Sequence, residues 1–335
     1  MSSSNGKQEV VVVTGASAGV GRAVAREFAR HGARVGLIAR GEAGLDAARR
    51  DVERLGGTAL VLPCDVADAE AVEAAAARAE RELGPIDVWV NNAMQSVFSP
   101  FKEMTAEEFR RVTDVTYHGY VYGTMAALRR MLPRDRGKIV QVGSALAYRS
   151  IPLQSAYCGA KHAVVGFTDS IRCELVHDGS RVSITAVHLP ALNTPQFRWV
   201  KTRLPNKSQP VPPIFQPEVA ARAIYRAAHT DRREVWVGGP TVKAIVGQRL
   251  IPGLLDVYLG KTGYGGQQTD EPRERGVDEH NLWQALDQDE DRGAHGVFDD
   301  RARAYSVQQW ADRNRGLLAA GAALVGVVAG LAARR

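Results

Sequence analysis

A β-branched run, Glu9–Val13, leads straight into Thr14-Gly15-Ala16-Ser17-Ala18-Gly19-Val20-Gly21 and then into a helix that reads through Arg30. Strand, glycine-rich turn and helix in that order leave few folds open, because together they form a dinucleotide cradle that starts a parallel α/β sheet. Gly15 permits the tight turn, Gly19 lets the backbone approach a pyrophosphate, and Gly21 allows close packing of helix on strand. Ser17 and Val20 lie between them and count with the glycines as candidate cofactor contacts. The amino end of the helix adds free N–H groups and a positive dipole. Many loops hold three glycines, so the turn alone is a weak sign; its flanks make it a strong one.

The length of 335 residues exceeds what one α/β unit usually needs and suggests a large domain with an appendage. With 45% apolar and 24% charged residues, a sizeable core is expected. The net charge of +6 is spread as interspersed Arg, Lys, Asp and Glu with no basic block, so nucleic acid is not an expected partner. Cys64, Cys158 and Cys173 form no C-x-x-C and no metal-ligand spacing, which fits a reduced, cytoplasmic protein without a metal. Met1–Val10 is polar and lacks an apolar h-region, so no secretory signal is expected.

A second constellation lies mid-chain. Lys138–Val142 reads as a short strand closed by Gly143, and Ser155 to His177 runs at helical spacing. Ser144 falls just past the strand, where open parallel sheets place their ligands. Tyr157 and Lys161 are four residues apart and share one helix face. A phenol has a pKa near ~10 and is a poor base at neutral pH unless a cation favours its charged form. Lys161 can supply that cation, and Ser144 can hydrogen-bond a reacting oxygen. Such a set passes a proton to or from a hydroxyl or carbonyl. A Y-x-x-x-K pair by itself is more often a surface pair, so the glycine turn is what gives this one weight.

Taken together, T-G-x-x-x-G-x-G, Asn91-Asn92-Ala93, Ser144 and the thirteen-residue step to Tyr157 with Lys161 resemble the short-chain dehydrogenase/reductase family over about the first 240 residues. The resemblance implies a Rossmann-type, doubly wound parallel sheet of about seven strands, a nicotinamide cofactor and hydride transfer. It makes Ser144, Tyr157 and Lys161 the catalytic set, with Lys161 lowering the Tyr157 pKa and holding the nicotinamide ribose. Asp65 and Val66 then flank the adenine, and Asn92 and Thr194 join the cofactor contacts; for Asp65 the alternative is a cap on the helix near Asp68. Strand Arg34–Ala39 ends at Arg40 with no acid before Glu42, so NADP(H) is favoured over NAD(H), against the alternative of a solvent-exposed loop arginine. One long helix is expected over Thr105–Met131; by the resemblance it pairs with the Tyr157 helix in a homo-oligomer.

Three positions depart from the family pattern: Met94 and Ala191 replace glycines, and Thr116 replaces an asparagine that supports a water beside the lysine. His118 invites a substitute role, but a lone helical histidine is more often structural. Leu146, Tyr148, Ile151 and Leu153 are either an apolar pocket wall or ordinary loop packing. The proline-rich stretch Gln196–Phe215 reads as a substrate lid. The expected function is an NADP-dependent oxidoreductase interconverting an alcohol and a ketone or aldehyde, the small-molecule substrate being apolar. The rival is an NADP-binding regulatory or scaffold protein without efficient catalysis, against which retention of Ser144, Tyr157 and Lys161 argues.

The domain reading is 1–240 for the cofactor-binding catalytic unit, 241–316 for a helical and irregular extension, and 317–333 for an apolar tail. Those seventeen residues carry no charge and are bracketed by arginines. As a helix they span roughly 25 Å, short of the ~30 Å hydrocarbon core, so a membrane anchor tethering a cytoplasmic protein and a docked helix both stand.

Overall fold

The computed structural model describes residues 8–273, 279–314 and 316. Seven parallel strands form its sheet: β1 (Val10–Thr14), β2 (Arg34–Ala39), β3 (Thr58–Pro63), β4 (Val88–Asn91), β5 (Lys138–Ser144), β6 (Ser183–Leu189) and β7 (Glu234–Trp236). Their spatial order is β7-β6-β5-β4-β1-β2-β3. The order reverses between β1 and β4, and in such sheets ligands bind in the crevice at the carboxyl ends beside that point. The expected doubly wound α/β sheet is therefore present, and both halves of the candidate site stand at its switch.

The strands read as unbroken apolar runs because both faces are covered. Val11 and Val13 pack under α1 (Gly19–Ala29) and α2 (Glu42–Arg54), whereas Val10 and Val12 face the opposite layer with α3 (Ala69–Leu83). Phe28, Val52 and Ile224 fill the first layer, and Trp89, Ala76 and Met131 the second. Asp68 caps α3 by accepting the N–H groups of Glu70 and Ala71, so the cap is not Asp65.

The helix expected from Thr105 to Met131 is continuous from Ala106 but contains one wide turn. Thr105 caps α4 (Ala106–Thr113) in a box with Glu108, a π turn covers Asp114–His118, and α5 (Gly119–Met131) continues. Such wide turns recur at functional sites. The long α6 (Ser155–His177) follows β5, and α7 (Pro217–Ala228) precedes β7. The proline-rich stretch Gln196–Phe215 is held by two short pairings, Val97–Phe98 with Lys201–Thr202 and Asn206–Ser208 with Gln268–Pro272.

After β7 come α8 (Gly239–Leu250) and α9 (Pro252–Thr262). From His280 to Ser306 the chain returns without regular structure across the carboxyl ends of the strands, burying Leu282, Ala294 and Phe298. Among the described residues no helix is long and apolar enough to cross a membrane. The tail 317–333, read as anchor or docked helix, lies outside the described residues.

Candidate active site

The glycine turn is shaped by what cannot fit. Gly15 has φ +67°, and a Cβ there would come 2.9 Å from the Ala93 Cα. A Cβ on Gly21 would come 2.0 Å from the Gly15 carbonyl oxygen, so α1 can approach the turn only with glycine at that position. Asn92 braces the cradle from β4: its backbone N–H donates to Thr14 Oγ1 at 2.9 Å and its side-chain amide to the Thr14 carbonyl at 2.9 Å. Ala18 starts α1 with no side-chain cap. The turn closes one end of a cavity of about 180 Å³. Gly15, Ser17, Gly19 and Val20 line that end, and Arg40, Asp65, Val66, Asn92 and Thr194 line the rest. Gly21 sits behind the turn. A cradle that any Cβ would fill, an arginine and an acid fit a dinucleotide.

Asp65 Oδ1 accepts the Ala67 N–H at 3.0 Å, and the Arg111 guanidinium pairs with the other oxygen. Burial pushes this carboxyl up, but the Ala67 N–H and Arg111 together hold it below the usual range. Arg40 is not a loose loop arginine. Half-buried, it donates to the carbonyls of Trp283, at 3.0 Å, and Asn281. Burial lowers its pKa, with Asp65 opposing.

Ser144 ends β5, and its hydroxyl accepts the Leu146 N–H at 3.1 Å. Lys161 is 2% exposed, and its Nζ donates to the Val142 carbonyl and to the Tyr120 hydroxyl, both at 2.8 Å. Tyr120 in turn donates to Val142 O at 2.8 Å. Burial brings the Lys161 amine down to about 7. The Tyr157 phenol is raised, not lowered: burial dominates and a hydrogen bond with Ser144 only partly offsets it. The lowering expected from Lys161 is outweighed by burial of the phenol. The Lys161 Nζ lies 5.7 Å from the Tyr157 ring centroid.

Tyr120 is a member of this cluster that sequence reasoning missed. The available signal was its position one turn beyond Thr116 on the same helical face. Thr116 itself is fully buried in the π turn, where its hydroxyl accepts the Gln95 N–H at 2.9 Å and donates to the Gln95 carbonyl at 3.0 Å. His118 stays at the surface, its Nδ1 3.0 Å from the Asp114 carboxylate.

Beyond Ser144 and Tyr157 opens a second cavity of about 510 Å³. Met94, Leu146, Ile151 and Phe197 line it, and α9 adds Leu255 and Leu259. Thr194 borders both cavities. The loop after β5 divides its apolar residues. Leu146 and Ile151 face the cavity, Leu153 packs with Phe98 and Val200, and the Tyr148 hydroxyl turns to donate to Glu234 at 2.8 Å.

The chain is similar to known proteins. A family model described as short chain dehydrogenase matches residues 9–203. The chain is 33% identical over 333 residues to the uncharacterized oxidoreductase YxnA of Bacillus subtilis, covering 98% of this chain and 91% of that one. It is 31% identical to a 3-dehydrosphinganine reductase of Danio rerio, covering 65% of this chain and 68% of the relative. A fatty acyl-CoA reductase of Acinetobacter baylyi is 29% identical over 67% of this chain and 74% of its own length. On its glycine turn, its sheet and this similarity along nearly its whole length, the chain belongs to the short-chain dehydrogenase/reductase family of NAD(P)-dependent oxidoreductases.

Proposed function

We propose that this oxidoreductase uses NADP(H) to interconvert a ketone or aldehyde with its alcohol on a substrate bearing an apolar chain. The observation that carries the reading is the position of Ser144, Tyr157 and Lys161 on the wall of the 510 Å³ apolar cavity, next to Asn92, Thr194 and the glycine-turn residue Val20. A fatty acyl chain suits such a lining, as do the substrates named by the 3-dehydrosphinganine and fatty acyl-CoA reductases among the relatives.

When bound, the nicotinamide would supply or accept the hydride at the substrate carbon. The chain's own groups do the rest. Ser144 orients the carbonyl oxygen. The Tyr157 phenol, held protonated by burial, donates its proton to that oxygen in the reductive direction and takes it back in the oxidative one. Lys161, fixed by Val142 and Tyr120, holds the nicotinamide ribose. Arg40 provides the cation for a ribose 2′-phosphate. A homo-oligomer built on α5 and α6 is supported by Met125 and Val176, exposed there by 48% and 80%.

Tyr157→Phe tests the assignment: NADPH oxidation against long-chain aldehydes and ketones should fall by at least about a thousandfold, while NADPH binding by fluorescence titration stays near wild type. Wild-type turnover in that variant defeats the reading. Fractionating the full-length protein beside a version ending at Asn314 separates an anchoring tail from a docked one.

A further inference from the structure

The segment from His280 to Asp299 runs along the rim of the dinucleotide cleft, and it places a charge there. Asn281 and Trp283 offer carbonyls to Arg40. At the start of α2, which has no side-chain cap, the Gly44 N–H donates to the Asp287 carbonyl and the Ala43 N–H to the Gln288 carbonyl, both at 3.1 Å. Farther along, Asp291 pairs with the buried Arg22 at 2.9 Å, and the Gly293 carbonyl accepts the Gly19 N–H at 3.0 Å.

The Asp287 side chain is 6% exposed, and its carboxylate rests on the two glycines that flank the entry to α2. A Cβ on Gly41 would lie 1.9 Å from Asp287 Oδ1, and one on Gly44 would lie 2.5 Å from Oδ2. A side chain at either position would force the carboxylate to move. Asp287 also lines the cofactor cavity together with Ser17 and Arg40, and after Asp65 its charge acts on the Arg40 guanidinium. The end of β2 is where these sheets read the ribose 2′ group, by an acid for a hydroxyl or an arginine for a phosphate. Here the arginine follows β2 directly and the acid arrives from the other end of the sequence.

We infer that Asp287 is a cofactor-specificity residue: its carboxylate, seated beside Arg40 at the end of β2, accepts from a ribose 2′-hydroxyl and repels a 2′-phosphate. This rests on reading the cleft as a dinucleotide site. Arg40 draws the phosphate in and Asp287 opposes it, so the pair sets the balance between NADP(H) and NAD(H).

The test is the dissociation constant of the full-length protein for NADPH and for NADH, read by fluorescence titration in wild type and in Asp287→Asn. The amide keeps the size of the side chain and removes the charge. NADPH should bind about tenfold tighter in the variant while NADH binds no better than before. Equal changes for both cofactors, or none, overturn the inference, since a merely structural role for the segment would move the two together. If Asp287→Asn does not fold, Asp287→Ser is read in the same way. Failure of the wild type to bind either cofactor defeats the dinucleotide reading itself and is distinguished by that result.

Discussion

Lys161 is a lysine in a place that disfavours its charge, and stability should report it. Folded, its amine gives up its proton at about 7, against 10.5 for an ordinary lysine. Between those values the unfolded chain holds a proton that the folded chain lacks. The folded state therefore gains stability as pH rises through that window and bears the full cost below it, with a slope of at most ~1.4 kcal/mol per pH unit. Urea denaturation across the window should show this climb in wild type and its loss in Lys161→Met; parallel curves would contradict the assignment. That Ser144, Tyr157 and Lys161 line one cavity was readable from the sequence because strand end and helix spacing fix their relation locally. Tyr120, Asp287 and the effect of burial on the phenol were not, since each depends on contacts made across the fold.

Among the elements, α4 does more than lead into α5. Its Glu108 is 3% exposed; it accepts the Thr105 N–H at 2.9 Å and pairs with Arg203 at 2.9 Å and Lys201 at 3.2 Å. One carboxylate thus caps a helix and pins the proline-rich stretch at Lys201 and Arg203. Glu108→Ala should lower stability by about 1–3 kcal/mol in thermal unfolding and raise KM for the carbonyl substrate, leaving the dissociation constant for NADPH unchanged. An unchanged KM would argue against a lid there. Strand and helix positions were legible because apolar period and glycine punctuation mark them, as at Gly84-Pro85 after α3. The π turn at Asp114–His118 was not, because one extra residue within a helical run leaves the apolar pattern on either side intact.

For the whole molecule, the sheet and the returning segment form one packed body. Leu282 is fully buried with Val97, Val112 and Ala156, in a cluster that also supports Tyr157. Leu282→Ala should cost about 2–5 kcal/mol and lower the midpoint of a single unfolding transition. A separate early transition for the segment would show that it is an independent layer. The sheet was foreseeable because β1, its turn and α1 commit the chain to parallel crossovers. The path of residues 280–306 was not, because a stretch of Gly, Asp and Gln without periodicity gives no clue to where it docks.

That path sets an order of events during synthesis. A ribosome that has translated Trp236 has produced every strand of the sheet and the entire glycine turn, yet neither the carbonyls that hold Arg40 nor the Gly293 oxygen that meets Gly19. The adenosine side of the crevice is finished only when a much later portion of the polypeptide emerges and lies across it. Nascent chains should accordingly acquire their sheet before they can retain a nucleotide with mature affinity.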